Sequence, residues 1–245
     1  MNPAPLVSVI IPVHNGERYL SQALESALAQ AQPALEIIVV DDGSTDASAA
    51  VAASFAPGVA CVSQPQQGAA AARNRGVELA IGQYLAFLDA DDLWTNGSLA
   101  CRLAALESDA ALDLVLGHAE QFLSPDLDPE VARRTQCPSR PMPGYLFGAV
   151  LVRRAAYDRV GPLDLRWTVG ECIDWFARAA EFGLRRRLLP DVVLRRRLHQ
   201  TNLSRLAPDP KTSYVQVVKM ALDRRRAANQ GQVRPLTPPA GAADH

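Results

Sequence analysis

The chain has 245 residues, 48% of them hydrophobic and 21% charged, which excludes a dominantly disordered polypeptide and suits one compact domain with a small appendage. No run approaches the roughly 18–20 uncharged apolar residues that span a bilayer, and Met1 to Leu6 lacks the basic and apolar regions of a signal peptide, so a cytoplasmic, non-spanning protein is expected. The net charge of −1 hides an asymmetry: residues 1–132 carry 4 Arg against 17 Asp and Glu, whereas residues 133–245 carry 19 Arg and 2 Lys against 9 acids.

Leu6 to Val13 is a nearly continuous β-branched run ended by His14-Asn15-Gly16, which predicts a strand buried on both faces. Leu20, Ala23, Leu24, Ala27 and Leu28 recur at helical spacing, predicting a helix from Arg18 to Gln30 that Pro33 stops. Glu36 to Val40 is a second buried strand running into Asp41-Asp42-Gly43-Ser44-Thr45-Asp46, where Ser44 or Asp46 caps a helix to Phe55. A weaker strand (Val59 to Ser63), a helix (Gly68 to Ala80) and a strand (Tyr84 to Leu88) ending in Asp89-Ala90-Asp91-Asp92 follow, with a helix beginning near Asn96. Strands alternating with helices imply a parallel sheet.

Beyond these, Asp113 to Gly117 reads as a strand, residues 124–143 with five Pro as a loop or partly mobile insertion, and Tyr145 to Val152 as a strand. Helices from Ala155 to Val160 and Gly170 to Phe182, a strand from Arg187 to Arg196 and a helix from Thr212 to Ala228 complete the chain, with a Pro-rich disordered tail at 230–245. Cys61, Cys101, Cys137 and Cys172 form no Cys-x-x-Cys pair, so free thiols are expected.

In an open parallel sheet, ligands bind beyond the carboxyl ends of the strands, and here those ends carry His14-Asn15, Asp41-Asp42 and Asp89-Ala90-Asp91-Asp92. Acids crowded at one sheet edge repel one another unless a cation or hydrogen-bond donors sit among them, and an all-oxygen set suits Mg or Mn. Each cluster alone is also a respectable turn or helix cap; two of them after apolar strands of one sheet favour a binding site. No Gly-x-Gly-x-x-Gly and no Gly-Lys-Ser/Thr loop is present, which argues against a dinucleotide dehydrogenase or a P-loop enzyme.

Four stretches then resemble, in order, the family 2 glycosyltransferases with the A-type nucleotide-sugar fold: Val9 to Asn15, Ile38 to Asp46, Ala72-Arg73-Asn74-Arg75-Gly76, and Phe87 to Asp92. The resemblance is dense over residues 6–98 and continues to about residue 205. It implies an α/β fold, a single Rossmann-like nucleotide-sugar domain with a mostly parallel central sheet flanked by helices and a C-terminal helical extension. The implied organisation is a glycosyltransferase domain at 1–207 (donor half 1–98, acceptor half 99–207), a C-terminal helix at 208–229 and a tail at 230–245.

By the same resemblance Pro12, His14, Asn15, Asp41, Asp42, Arg73, Asn74, Asp89, Ala90 and Arg197 bind the nucleotide-sugar, with Asp41 or Asp42 reading the base. Asp91, Asp89 and His199 hold a divalent metal, Mn or Mg, and Asp92 is a supporting acid or a helix cap. The family's catalytic carboxylate belongs to an acidic pair at the start of a helix. In Gly170-Glu171-Cys172-Ile173-Asp174-Trp175, Cys172 takes the usual Asp position, leaving Asp174, the first choice, and Glu171 as candidates; Asp174 also has Arg178 at i+4. Arg197-Leu198-His199-Gln200-Thr201-Asn202-Leu203-Ser204 resembles the family's late segment, which closes over the donor.

The implied activity is an inverting, metal-dependent transfer of a sugar from a nucleoside diphosphate sugar, UDP first, to a hydroxyl of a glycan, a lipid-linked acceptor or a small molecule, in cell-surface polysaccharide or glycoconjugate synthesis. Cys172 keeps open a non-catalytic nucleotide-sugar binding or regulatory protein. No nucleic-acid motif is present, and Arg224-Arg225-Arg226 offers a peripheral membrane contact through the C-terminal basic helix.

Overall fold

A computed structural model describes residues 7–30, 35–200 and 210–229. In chain order the elements are β1 (Val7–Val13), α1 (Glu17–Leu28), β2 (Leu35–Asp42), α2 (Ser48–Ala53), β3 (Ala60–Gln64), α3 (Ala69–Leu79), β4 (Tyr84–Phe87), β5 (Leu93–Trp94), α4 (Ser98–Ser108) and β6 (Leu114–Leu123). They continue with α5 (Pro129–Arg134), β7 (Met142–Pro143), a 3₁₀ turn (Phe147–Ala149), β8 (Val150–Arg153), α6 (Arg154–Val160), α7 (Glu171–Glu181), β9 (Arg186–Leu198) and α8 (Pro210–Asn229). The tail at 230–245 lies outside the described residues.

One sheet runs β3-β2-β1-β4-β8-β6-β9-β5, with β7 pairing β6. Its long ladders, β1 with β2 and β6 with β9, are parallel, while the antiparallel ladders are only two or three residues long. The domain is therefore α/β with a mostly parallel sheet. Every β1 residue is buried because helices cover both faces. The two-residue period sends Val7, Val9, Ile11 and Val13 to the face covered by α1 and α4, and Ile10 to the face covered by α3, α6 and α7. No helix among the described residues is long and apolar enough to cross a membrane.

Two local features set the site. Ile10 accepts a backbone bond from Leu88, so the alternate residue Pro12 faces the same side, beyond the end of β4, and its missing N–H breaks no ladder bond. Gly76 lets α3 lie directly on β1: a Cβ there would stand 2.3 Å from Ile10 Cγ2. We expect Gly76→Ala to destabilise the fold by about 1–3 kcal/mol, measured by denaturant unfolding, because Ile10 is fully buried and has nowhere to move.

The second half departs from expectation where polar residues carry the strand. β6 continues past Gly117 to Leu123 alongside β9, with a register shift at His118, and Glu120 faces and pairs with Arg195. The Pro-rich stretch contains α5, which begins with Asp128 accepting from the Glu130 and Val131 N–H groups and Pro129 in the first turn. The expected strand from Tyr145 starts instead at Val150. Gly144 donates to the Gly117 carbonyl, and the 3₁₀ turn brings Gly148 so close to Leu194 that a Cβ would stand 2.9 Å away.

Candidate active site

The loops that leave β1 and β2 are stapled together. Asn15, at φ +51°, donates its N–H to Ser44 Oγ (2.9 Å) and accepts from the Thr45 N–H on Oδ1 (2.8 Å), while Gly16 N–H donates to Ser48 Oγ (2.8 Å). Across the same seam the Glu17 N–H donates to the Asp46 carboxylate, and the Glu17 carboxylate accepts from the Ala47 N–H. The Asn15 side chain thus spends its acceptor on loop architecture. Ala90 reaches this seam, 3.6 Å from where a Gly16 Cβ would lie, so the loop after β4 sits against the loop after β1.

Asp41 and Asp42 are both buried, but their environments differ. Asp42 accepts from Gln64 Nε2 (2.8 Å), the Gln67 N–H (2.9 Å) and the Gly68 N–H (2.7 Å), which fixes the start of α3. Asp41 accepts one turn bond from the Ser44 N–H (3.1 Å) and a long one from the Ser63 hydroxyl (3.3 Å). Of the two, Asp41 retains more acceptor capacity for a ligand. His14 Nδ1 lies 2.8 Å from the Asp42 carbonyl, which only accepts, so that nitrogen carries the proton and Nε2 accepts, 3.2 Å from Gln66 Nε2.

Past β4, Asp89, Asp91 and Asp92 place carboxylate oxygens within 4.8 Å of one another. Asp92 is buried; its pKa is held well above the ordinary carboxylate range by burial first, then by Asp91 and Asp89. A divalent cation would relieve that repulsion, and three carboxylates are the hard oxygen set that Mg or Mn prefers. His199, also buried, brings Nε2 to 2.7 Å from Asp91 Oδ2 and packs its ring 4.8 Å from that of Tyr19. It therefore joins the acidic cluster through Asp91.

Arg197, expected to contact the nucleotide-sugar, is bound into the acidic loop. Its backbone N–H donates to Asp92 Oδ1 (2.8 Å), its Nε to the Asp91 carbonyl (2.9 Å) and its Nη2 to Gln22 Oε1 (2.7 Å), with the guanidinium between the Tyr19 and Phe122 rings. Buried there, it positions the acidic loop from behind. Asn74 is likewise spoken for: its amide trades two bonds with the Leu163 backbone (2.9 and 2.8 Å), tying α3 to the loop before α7.

The two halves of the site meet at Arg73. Buried in α3 above the Phe147 ring, it donates Nη2 to Asp89 (2.5 Å) and Nη1 to Glu171 at the start of α7 (2.9 Å). Burial alone would push its pKa down, but Asp89 and Glu171 more than offset this and the group stays charged. One guanidinium fork thus spans a carboxylate from each half, which a lysine ammonium cannot reproduce. We expect both Arg73→Met and Arg73→Lys to lower donor turnover about 100-fold, read as kcat with folding checked by circular dichroism.

Asp174, the first choice for the catalytic carboxylate, is not in this cluster. It is 1% exposed and accepts from Arg178 (2.9 Å) and Arg224 (3.0 Å); Arg178 goes on to hold the Val160 and Pro162 carbonyls, and Arg224 also binds Glu181. The two carboxylates are one helical turn apart: Glu171 at the start of α7 meets Arg73, while Asp174 meets Arg178 of its own helix and Arg224 of α8. Burial pushes the Cys172 thiol up, with Glu171 adding to it, and its sulfur lies 3.5 Å from the Tyr145 carbonyl, so it stays protonated.

Tyr19 and Gln22 on α1 were not foreseen, since no motif marks residues that matter only by packing on Arg197 and His199. Asp92 was readable as a third acid from its place in Asp89-Ala90-Asp91-Asp92.

A mixed sheet with acids at its carboxyl edge, approached by a carboxylate from a second half, defines the A-type glycosyltransferase fold. The chain belongs to glycosyl transferase family 2, whose description matches residues 8–161. It is 33% identical over 184 residues to the PGL/p-HBAD biosynthesis glycosyltransferase of Mycobacterium bovis, covering 70% of this chain and 68% of that one. It is 46% identical over 95 residues to the uncharacterized glycosyltransferase YibD of Escherichia coli, covering 38% of this chain but only 28% of that one. The fold matches that of S. aureus TarS 1-349 in complex with UDP-GlcNAc at a TM-score of 0.71, with 19% identity, over 88% of this chain and 65% of that one.

Proposed function

We propose that the protein transfers a sugar from a nucleoside diphosphate sugar to an acceptor hydroxyl, with inversion at the anomeric carbon. The observation that carries this reading is the single cluster formed by Asp89, Asp91, Asp92, Arg73 and Glu171 at the carboxyl edge of the sheet. Residues 1–98 supply the donor half and 99–207 the acceptor half, with α8 (Pro210–Asn229) following them.

Asp41 reads the base, with Pro12, His14, Asn15 and Ala90 shaping the pocket wall. Asp89 and Asp91 would hold a divalent cation, Mn or Mg, with His199 orienting Asp91; the bound cation supplies Lewis-acid stabilisation of the leaving diphosphate. Glu171 accepts the acceptor's hydroxyl proton as that oxygen bonds to the anomeric carbon and the bond to the β-phosphate oxygen breaks, releasing nucleoside diphosphate. Arg73, bound to Glu171 Oε1, sets the carboxylate's direction.

The TarS neighbour's complex with UDP-GlcNAc supports a uridine donor. Family membership supports a role in cell-surface polysaccharide or glycoconjugate synthesis. Titration calorimetry with UDP tests the donor half: binding that strengthens with Mn and weakens in Asp41→Ala is expected, and Mn-independent binding unchanged by that variant would contradict it.

A further inference from the structure

We infer that α8 is a membrane-docking helix whose outward face seats on an anionic lipid surface. Its inner face is occupied: Val217 and Ala221 are buried, and Arg224 is bound to Asp174 and Glu181. Its outer face carries Val215, Val218 and Leu222, exposed by 66%, 49% and 46%. At positions i, i+3 and i+7 they fall within about 60° of one another around the helix, a stripe of aliphatic side chains open to solvent.

The exposed Arg225 lies on one flank of that stripe and the exposed Lys219 and Arg226 on the other. Arg226 makes an exposed pair with Asp223 at 3.5 Å, which water and salt screen. Aliphatic side chains bordered by cations are the arrangement of a helix lying in a bilayer interface, where short apolar insertion and attraction to acidic headgroups act together. The charge selects the occupant. A second copy related by a two-fold axis would set cations against cations, whereas anionic lipid neutralises them.

The docking has a direction. A Cβ at Gly170 would stand 3.1 Å from Val217 and 3.4 Å from Tyr214, so the first half of α8 lies against the start of α7, next to Glu171. A docked chain holds the Glu171 end of the cleft beside the membrane, where a lipid-borne acceptor would arrive. Only this orientation rests on the transfer reading; the docking face stands without it.

Co-sedimentation of the full chain with vesicles, in the absence of donor, tests the proposal. Binding to phosphatidylglycerol-containing vesicles, weakened by salt and absent with phosphatidylcholine alone, is expected. Reversing Lys219 and Arg225 to Glu should reduce it at least tenfold, at about fivefold per cation. Val218→Asp with Leu222→Asp should reduce it to a similar extent, and both double variants should keep the wild-type Tm. Failure to bind acidic vesicles, equal binding by the variants, or a dimer in light scattering that the same variants dissociate would overturn it. An inactive chain that binds vesicles leaves the docking intact and counts against the transfer reading alone.

Discussion

Asp91→Ala is expected to lower metal-dependent donor turnover by about 10²–10³-fold or more, the scale on which a single charge-stabilising group is lost from a transition state. Asp91 is half-exposed beside a buried acid, Asp92, whose proton affinity is raised by burial and by the neighbouring carboxylates, and it is held by His199 on one oxygen and by Arg197 through its backbone. The loop is also held by bonds that do not use the Asp91 carboxylate, from the Arg197 backbone N–H to Asp92 Oδ1 and from Arg197 Nε to the Asp91 carbonyl. Removing that carboxylate should therefore leave the fold intact, with a Tm within a few degrees of wild type, while the response to added Mn disappears. Arg197→Ala should act differently. It frees the loop by deleting bonds to the Asp91 carbonyl and Gln22, so loss of turnover should come with lower stability.

The second large effect separates two carboxylates three residues apart. Glu171→Gln should lose about 10²–10⁴-fold in kcat, the usual contribution of a general base, with donor affinity and Tm preserved because the amide still accepts from Arg73. Asp174→Ala should instead cost about 3–5 kcal/mol of stability, since it strands Arg178 and Arg224 without the buried carboxylate between them. Denaturant unfolding paired with steady-state kinetics distinguishes the outcomes. A stable but inactive Asp174→Asn with an active Glu171→Gln would reverse the assignment.

The first hundred residues or so were legible because their signals are local. A β-branched run buried on both faces, a helical period and a turn of Asp, Gly and Ser each occupy one stretch of sequence, and β1, β2, α3 and β4 followed. The second half depends on partners distant in sequence. β6 beyond Gly117 mixes polar and apolar residues and is set by β9 lying beside it, and the 3₁₀ turn at Phe147 reflects how closely Gly148 must approach Leu194. Within the site, residue identities were legible and their bonds were not. Asn74 and Arg197 sit in motif positions yet are committed to the Leu163 backbone and to the Asp91-Asp92 loop.

The opposite charges of the two stretches also acquire a structural meaning. Arg159, Arg187 and Arg195 from the basic stretch pair with Asp113, Asp109 and Glu120 from the acidic one. All three arginines are more than two-fifths exposed, so each pair adds little stability; together they favour docking of the basic chain onto the β6 side of the sheet. Arg73 reverses the pattern, as a cation of the acidic half buried between acids of both.

The most direct test is release of UDP from UDP-sugars by the purified chain with Mn, compared with Asp91→Ala and Glu171→Gln under the same conditions. UDP release that requires the metal and is lost in both variants is the predicted result. Release that proceeds without metal, or that persists in both variants, would contradict the assignment of this cluster as the site of transfer.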